Sequence, residues 1–172
     1  MERALGLKEE GNKLFRGKNW SKAAGKYTEA LDVSIHLGDA KAKVLKGTLH
    51  SNRAECFLRM DPIACDKVID DTDKALALMP GHIKTLQRRA KAYHAQGLSI
   101  KNPEKAMSTL AKAIKDLTSL LKKEPKHLPA RQLLEKVRVA AKFVENNPEN
   151  YQFYLNRLVK AANSSLKKEV DY

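Results

Sequence analysis

An all-α fold of stacked helix–turn–helix units is what this sequence predicts, and three observations carry the prediction. Apolar residues recur at helical spacing along the whole chain, while no stretch alternates at the period of a strand. Breaks rich in Gly, Asn, Asp or Pro cut that pattern into helix-sized pieces, at Gly17-Lys18-Asn19, Gly38-Asp39, Asp61-Pro62, Pro80-Gly81, Asn102-Pro103 and Pro125. The arrangement of small and large residues in the first two pieces returns twice more in looser form.

The first helix is expected from about Glu2 to Arg16, with Leu7, Leu14 and Phe15 on one face and Gly11 between them. The second is expected from about Trp20 to Leu37, with Trp20, Ala23, Ala24, Tyr27, Ala30 and Leu31 as its stripe and Gly38-Asp39 as its stop. Gly11 and Ala23 fall where two antiparallel helices must approach closely, and Tyr27 and Trp20 fill the space beside them. A long third helix is expected from about Ala40 to Arg59. Asp61-Pro62 reads as the start of the fourth, Asp as N-cap and Pro in the first turn, followed by Val68, Thr72, Ala75 and Leu76 and a stop at Met79-Pro80-Gly81. The fifth opens at His82 and carries Leu86, Ala90, Tyr93 and Gly97. The sixth opens at Asn102-Pro103-Glu104 and runs on to Pro125; either Ala106 or Ala113 holds its small-residue position, and the overlong helix that goes with Ala106 is favoured. Leu133, Leu134, Val137, Ala141 and Val144 line a seventh helix. Asn147-Pro148-Glu149 starts an eighth, on which Tyr151, Tyr154, Leu155, Leu158, Val159 and Ala162 share a face.

The order Leu7, Gly11, Leu14, Ala23, Tyr27, Ala30 resembles the tetratricopeptide repeat, a helix–turn–helix unit of about 34 residues. Ser51-Asn52-Arg53-Ala54 resembles the first helix of a second repeat, with Ala54 in the place of Gly11, and His82 opens a third. The resemblance implies three repeats in a right-handed superhelical array over residues 1–125. Residues 126–172 supply capping and extension helices packed as part of the same domain. Stacking is required because one helix pair cannot bury its outer face.

In such an array the first helix of each repeat lines a groove, so exposed positions on those helices converge there. They are Lys8 and Asn12 in repeat one, Asn52 in repeat two, and Lys84 and Arg88 in repeat three. Lys8 and Asn12 lie one turn apart on one face, as do Lys84 and Arg88. Cations and amides converging on one groove suit a ligand with two clustered carboxylates. These five residues resemble the carboxylate clamp of co-chaperone tetratricopeptide domains. The resemblance implies capture of the Glu-Glu-Val-Asp C-terminus of the ninety- or seventy-kilodalton cytosolic heat-shock chaperones. Lys8, Asn12, Asn52 and Lys84 would grip the terminal double carboxylate, Arg88 would reach nearby acceptors, and Phe15 would wall an apolar pocket. Glu55, one turn after Asn52, departs from the pattern, which has something small there; it would repel an acidic ligand unless a neighbour, with Lys91 or Lys8 the ones the sequence offers, pairs with it, the alternative being contact with a donor on the ligand backbone.

There is no glycine-rich phosphate loop and no motif-bearing Ser or Cys nucleophile, so no enzyme is expected. Lys and Arg number 33 against 20 Asp and Glu, a net charge of +13, which implies acidic partners. A scaffold for an internal acidic segment, or a surface for nucleic acid or anionic membrane, is the alternative reading. Aromatic residues make up only 6%, and no stacking platform for bases is apparent. His36, His50, His82, His94 and His127 show no metal-ligand spacing and read as surface or turn residues. Asp70, Asp71 and Asp73 read as a solvated face rather than a catalytic pair. Two cysteines, Cys56 and Cys65, and no signal-peptide pattern imply a reducing, cytoplasmic setting without a disulfide framework. No cofactor, metal or membrane is expected, and the chain is expected to be a monomer. Glu169-Val170-Asp171 echoes the ligand, but Tyr172 follows, so self-binding is not expected.

Overall fold

The computed structural model describes residues 1–36 and 38–149. Seven helices follow one another in those residues: α1 (Glu2–Arg16), α2 (Trp20–Val33), α3 (Ala40–Arg59), α4 (Cys65–Leu78), α5 (Ile83–Ser99), α6 (Pro103–Lys123) and α7 (Leu128–Asn146). No strand occurs among the described residues. The expected eighth helix and the Glu169-Val170-Asp171 sequence lie outside them.

Each helix packs against the next, and α3 also touches α5 while α5 touches α7. Tetratricopeptide packing produces this pattern: antiparallel pairs, with the first helices side by side in one layer. Burial follows the small-residue spacing. Gly11, Ala23, Tyr27 and Ala30 are buried between α1 and α2, and a Cβ placed on Gly11 would lie 2.6 Å from the Tyr27 ring. In the third pair a Cβ on Gly97 would meet Leu110 at 2.8 Å and the Ala106 carbonyl at 3.6 Å. Ala106 therefore holds the close-approach position, and α6 is one unbroken 21-residue helix, capped by the Asn102 side chain accepting from the Lys105 amide. One core lies among α1, α2 and α3 around Tyr27 and Leu49; a larger one lies among α5, α6 and α7 around Leu110, Leu117, Leu120 and Val137.

Two helix ends differ from expectation. α2 stops at Val33 rather than near Leu37, because the Ser34 hydroxyl folds back to donate to the Leu31 carbonyl and closes the last turn. α4 begins at Cys65, not at Asp61-Pro62. The backbone leaves α3 in an extended conformation at Met60, and Asp61-Pro62, a cis peptide, lies in the connection with Ala64 as the N-cap residue. The chain needs those residues to reverse direction before Val68 can reach the core.

Two groups of polar residues also differ. Asp71 is 1% exposed instead of solvated, and accepts from Arg53 Nε at 2.8 Å, Arg53 Nη2 at 2.7 Å and, at 2.8 Å, lies against His50 Nδ1. Asp70 and Asp73 are exposed as expected, with Asp73 pairing to Arg89 at 2.6 Å. His50 is thus a half-buried partner of α4 rather than a surface residue, and His94 is half-buried too.

Candidate functional site

Asn12 and Phe15 from α1, Tyr27 from α2, Asn52 and Glu55 from α3 and Arg88 from α5 line one cleft of about 80 Å³. That volume suits a carboxylate or a short side chain rather than a whole small-molecule ligand, whose pockets run to roughly 300–1,000 Å³. Four residues singled out in the sequence therefore meet: Asn12, Phe15, Asn52 and Arg88. Lys8 and Lys84 do not line the cleft, but each stands one helical turn before a residue that does, Asn12 and Arg88 respectively. Lys84 is exposed and has no ion-pair partner among the described residues.

The lining is oriented by bonds within the fold. Tyr27 donates its hydroxyl to Asn12 Oδ1 at 2.8 Å, which turns the Asn12 amide nitrogen toward the groove side, where it donates to Glu9 Oε1 at 3.1 Å. Burial pushes the Tyr27 phenol up to about 12, so it remains a donor at neutral pH. Asn52 has no hydrogen-bond partner among the described residues, which leaves its amide available. Phe15 is braced by Trp20, the ring centroids 4.8 Å apart at 60°.

Arg88 is engaged twice. Its Nε donates to Glu55 Oε2 at 2.9 Å and its Nη1 to Ser51 Oγ at 2.5 Å. Ser51 shares a hydrogen bond of 2.7 Å with Thr85, and Thr85 lies 2.7 Å from His82 Nδ1. Glu55 Oε1 accepts from Arg59 Nε at 2.9 Å. The partners of Glu55 are thus Arg88 and Arg59, not the Lys8 or Lys91 that the sequence offered. Burial pushes the Glu55 carboxyl up, but the Arg88 charge and the bonds from Arg88 and Arg59 outweigh it and hold the group below the usual carboxylate range.

Tyr27, in the lining, and Ser51, bound to Arg88, are contacts of the cleft that the sequence did not point to. Tyr27 was legible as a core ring, and periodicity says nothing of its hydroxyl. Ser51 precedes Glu55 by one turn on α3, the one available hint that both face the same guanidinium. Behind the groove a second regularity appears. The residue following Asn52 is Arg53, bound to Asp71 on α4 and to Thr28 on α2; the residue following Arg88 is Arg89, bound to Asp116 on α6 at 2.7 Å through both Nε and Nη2. Asn52 and Arg88 thus each stand next to an arginine that locks its helix to the next one. Among the described residues no cluster of His, Cys, Asp or Glu is arranged to hold a metal, and no helix is long and apolar enough to cross a membrane.

This architecture is that of a tetratricopeptide-repeat array, and the chain is similar to such domains of co-chaperones. The first such domain of Spaghetti (RPAP3), solved bound to the HSP90 peptide SRMEEVD, superposes with a TM-score of 0.61 at 28% identity, covering 81% of this chain and 95% of that one. The C-terminal tetratricopeptide domain of a Plasmodium falciparum FK506-binding protein superposes with a TM-score of 0.72 at 26% identity, covering 84% and 92%. In sequence, human sperm-associated antigen 1 is 42% identical over 92 residues, 54% of this chain; the chain spans 10% of the length of that relative. No family model matches the chain.

Proposed function

We propose that this chain is a non-enzymatic adaptor that captures an acidic peptide C-terminus, of the Glu-Glu-Val-Asp kind borne by cytosolic heat-shock chaperones, through Lys8, Asn12, Phe15, Asn52, Lys84 and Arg88. The observation that carries the reading is the convergence of Asn12, Phe15, Asn52 and Arg88, from three helices, on one cleft sized for a carboxylate. The peptide held by the similar Spaghetti domain ends in the same four residues and supports it.

The net charge of +13 draws the acidic ligand in. A terminal aspartate then presents an α-carboxylate and a side-chain carboxylate on one residue. Asn12 and Asn52 donate amide hydrogens to them, and Lys8 and Lys84 add ammonium charges from the rim. Phe15, backed by Trp20, offers an apolar wall to the preceding valine. Charged hydrogen bonds of this type contribute about 1.5–3 kcal/mol each, so losing one costs roughly ten- to a hundredfold in affinity. The setting that follows from such a partner is the cytosol.

Lys84→Glu tests the reading, because Lys84 is exposed and holds nothing together. Fluorescence anisotropy with a labelled Met-Glu-Glu-Val-Asp peptide should show affinity lost by at least roughly tenfold, with the circular dichroism spectrum unchanged. Lys8→Glu should behave alike. Undiminished binding in both variants removes the proposal.

A further inference from the structure

Two carboxylates touch the residues assigned to the site, Glu55 in the lining of the cleft and Glu9 beside Lys8 and Asn12, and they are not equivalent. Glu9 lies 3.5 Å from the Lys8 ammonium and accepts from Asn12, but its side chain is 63% exposed. Water and salt compete for such a contact, which contributes little. The Glu55 side chain is 12% exposed and both its oxygens are bound, one by Arg88 and one by Arg59. Arg88 is itself only 15% exposed, and its second bond, to Ser51, ties it to α3. The cleft thus holds its one lining guanidinium already paired with a carboxylate, in the place where a ligand would bring one. Because its carboxyl titrates low, Glu55 stays charged at neutral pH.

Building on the peptide-capture reading, we propose that Glu55 is an internal competitor that occupies Arg88 in the empty groove and thereby sets the affinity threshold for acidic ligands. An incoming carboxylate meets an Arg88 whose Nε is already held by Glu55 and whose Nη1 is held by Ser51. It gains Arg88 only by sharing or displacing Glu55. A ligand with one carboxylate has only that group to spend on displacing Glu55; a chain-terminal aspartate can seat one carboxylate on the amides of Asn12 and Asn52 and still present the second to Arg88. Glu55 therefore acts as a specificity-determining residue of the same site.

The test is the affinity of the free-acid Met-Glu-Glu-Val-Asp peptide for four proteins: the parent chain, Glu55→Gln, Glu55→Ala and Glu9→Gln, each checked for folding by thermal unfolding. Gln keeps an oxygen that accepts from Arg88 Nε but removes the charge, so it separates competition from mere positioning. Glu55→Gln is expected to bind roughly three- to tenfold tighter, the size of one close charge interaction in a wet groove. Glu9→Gln, which changes net charge equally, is expected to stay within about twofold of the parent. Equal tightening in both glutamine variants would make the effect one of net charge and overturn the proposal. So would unchanged binding by Glu55→Gln with weakened binding by Glu55→Ala, the signature of a residue that positions Arg88. If the parent binds and Glu55→Gln is no tighter, the competitor alone is wrong. If neither binds, peptide capture fails and the competitor falls with it.

Discussion

At Gly11 the residue scale already links packing to function. A side chain there would run into the ring of Tyr27, and the hydroxyl of that ring orients Asn12 in the cleft. Gly11→Val should therefore do two things. Overpacking a tight contact costs about 1–3 kcal/mol, readable as a lowered urea midpoint. The displaced Tyr27 releases Asn12, so peptide affinity should fall even where the variant is fully folded. A destabilised variant with unchanged affinity would separate the two roles and contradict this chain of contacts. Asn12, Asn52 and Arg88 were legible in the sequence because helical spacing and repetition place them on groove faces. The engagement of Arg88 by Glu55 and Ser51 was not, since it depends on how α3 and α5 approach each other, which spacing within one helix does not encode.

Between elements, the arginines behind the groove determine how the helices are held. Asp71 is a buried carboxylate bound by Arg53 and His50, and Arg53 also reaches Thr28, so three helices meet at one charge. Removing one partner of a buried pair leaves the other uncompensated and costs about 3–5 kcal/mol, the expected loss for Asp71→Ala in denaturant unfolding. The pH dependence has a definite sign. Burial pushes the Asp71 carboxyl up, but the hydrogen bonds from Arg53 and His50 more than reverse this, and its folded value lies below the unfolded one. Its contribution is complete above the unfolded value, about 3.9, and is lost as pH falls through the lower folded value. Stability of the parent should drop on acidification below about pH 4, and Asp71→Asn should flatten that drop. An equally steep acid limb in the variant would place the sensitive group elsewhere. Helix boundaries were legible where a cap or a breaker sits at the true end, as for α1, α3 and α6. They were misread where a local bond decides, as at Ser34, or where the loop needs more chain than a tight turn, as at Asp61-Pro62.

Across the whole molecule, the array has a groove lined mainly by α1, α3 and α5 and separate apolar cores packed between its helices, the largest among α5, α6 and α7. α7 covers that core at its end: Leu134, Val137 and Val144 are buried in the same cluster as Leu117 and Leu120 of α6. Leu117→Ala should cost about 2–5 kcal/mol, measured by thermal or urea unfolding; a neutral result would mean that α7 does not seal the array. The repeated small residues made this stacking legible from the sequence, while the buried ion pairs among Arg53, Asp71, Arg89 and Asp116 were invisible to it, because a charged residue on a helix reads as solvated until its neighbour is placed. The central claim is that the groove reads a free chain end. Calorimetric titration with Met-Glu-Glu-Val-Asp as the free acid and as the C-terminal amide tests it most directly. Amidation, which removes one of the two terminal carboxylates, should weaken binding by at least roughly tenfold; equal affinity for both forms would contradict capture of a free chain end and leave a groove that senses only negative charge.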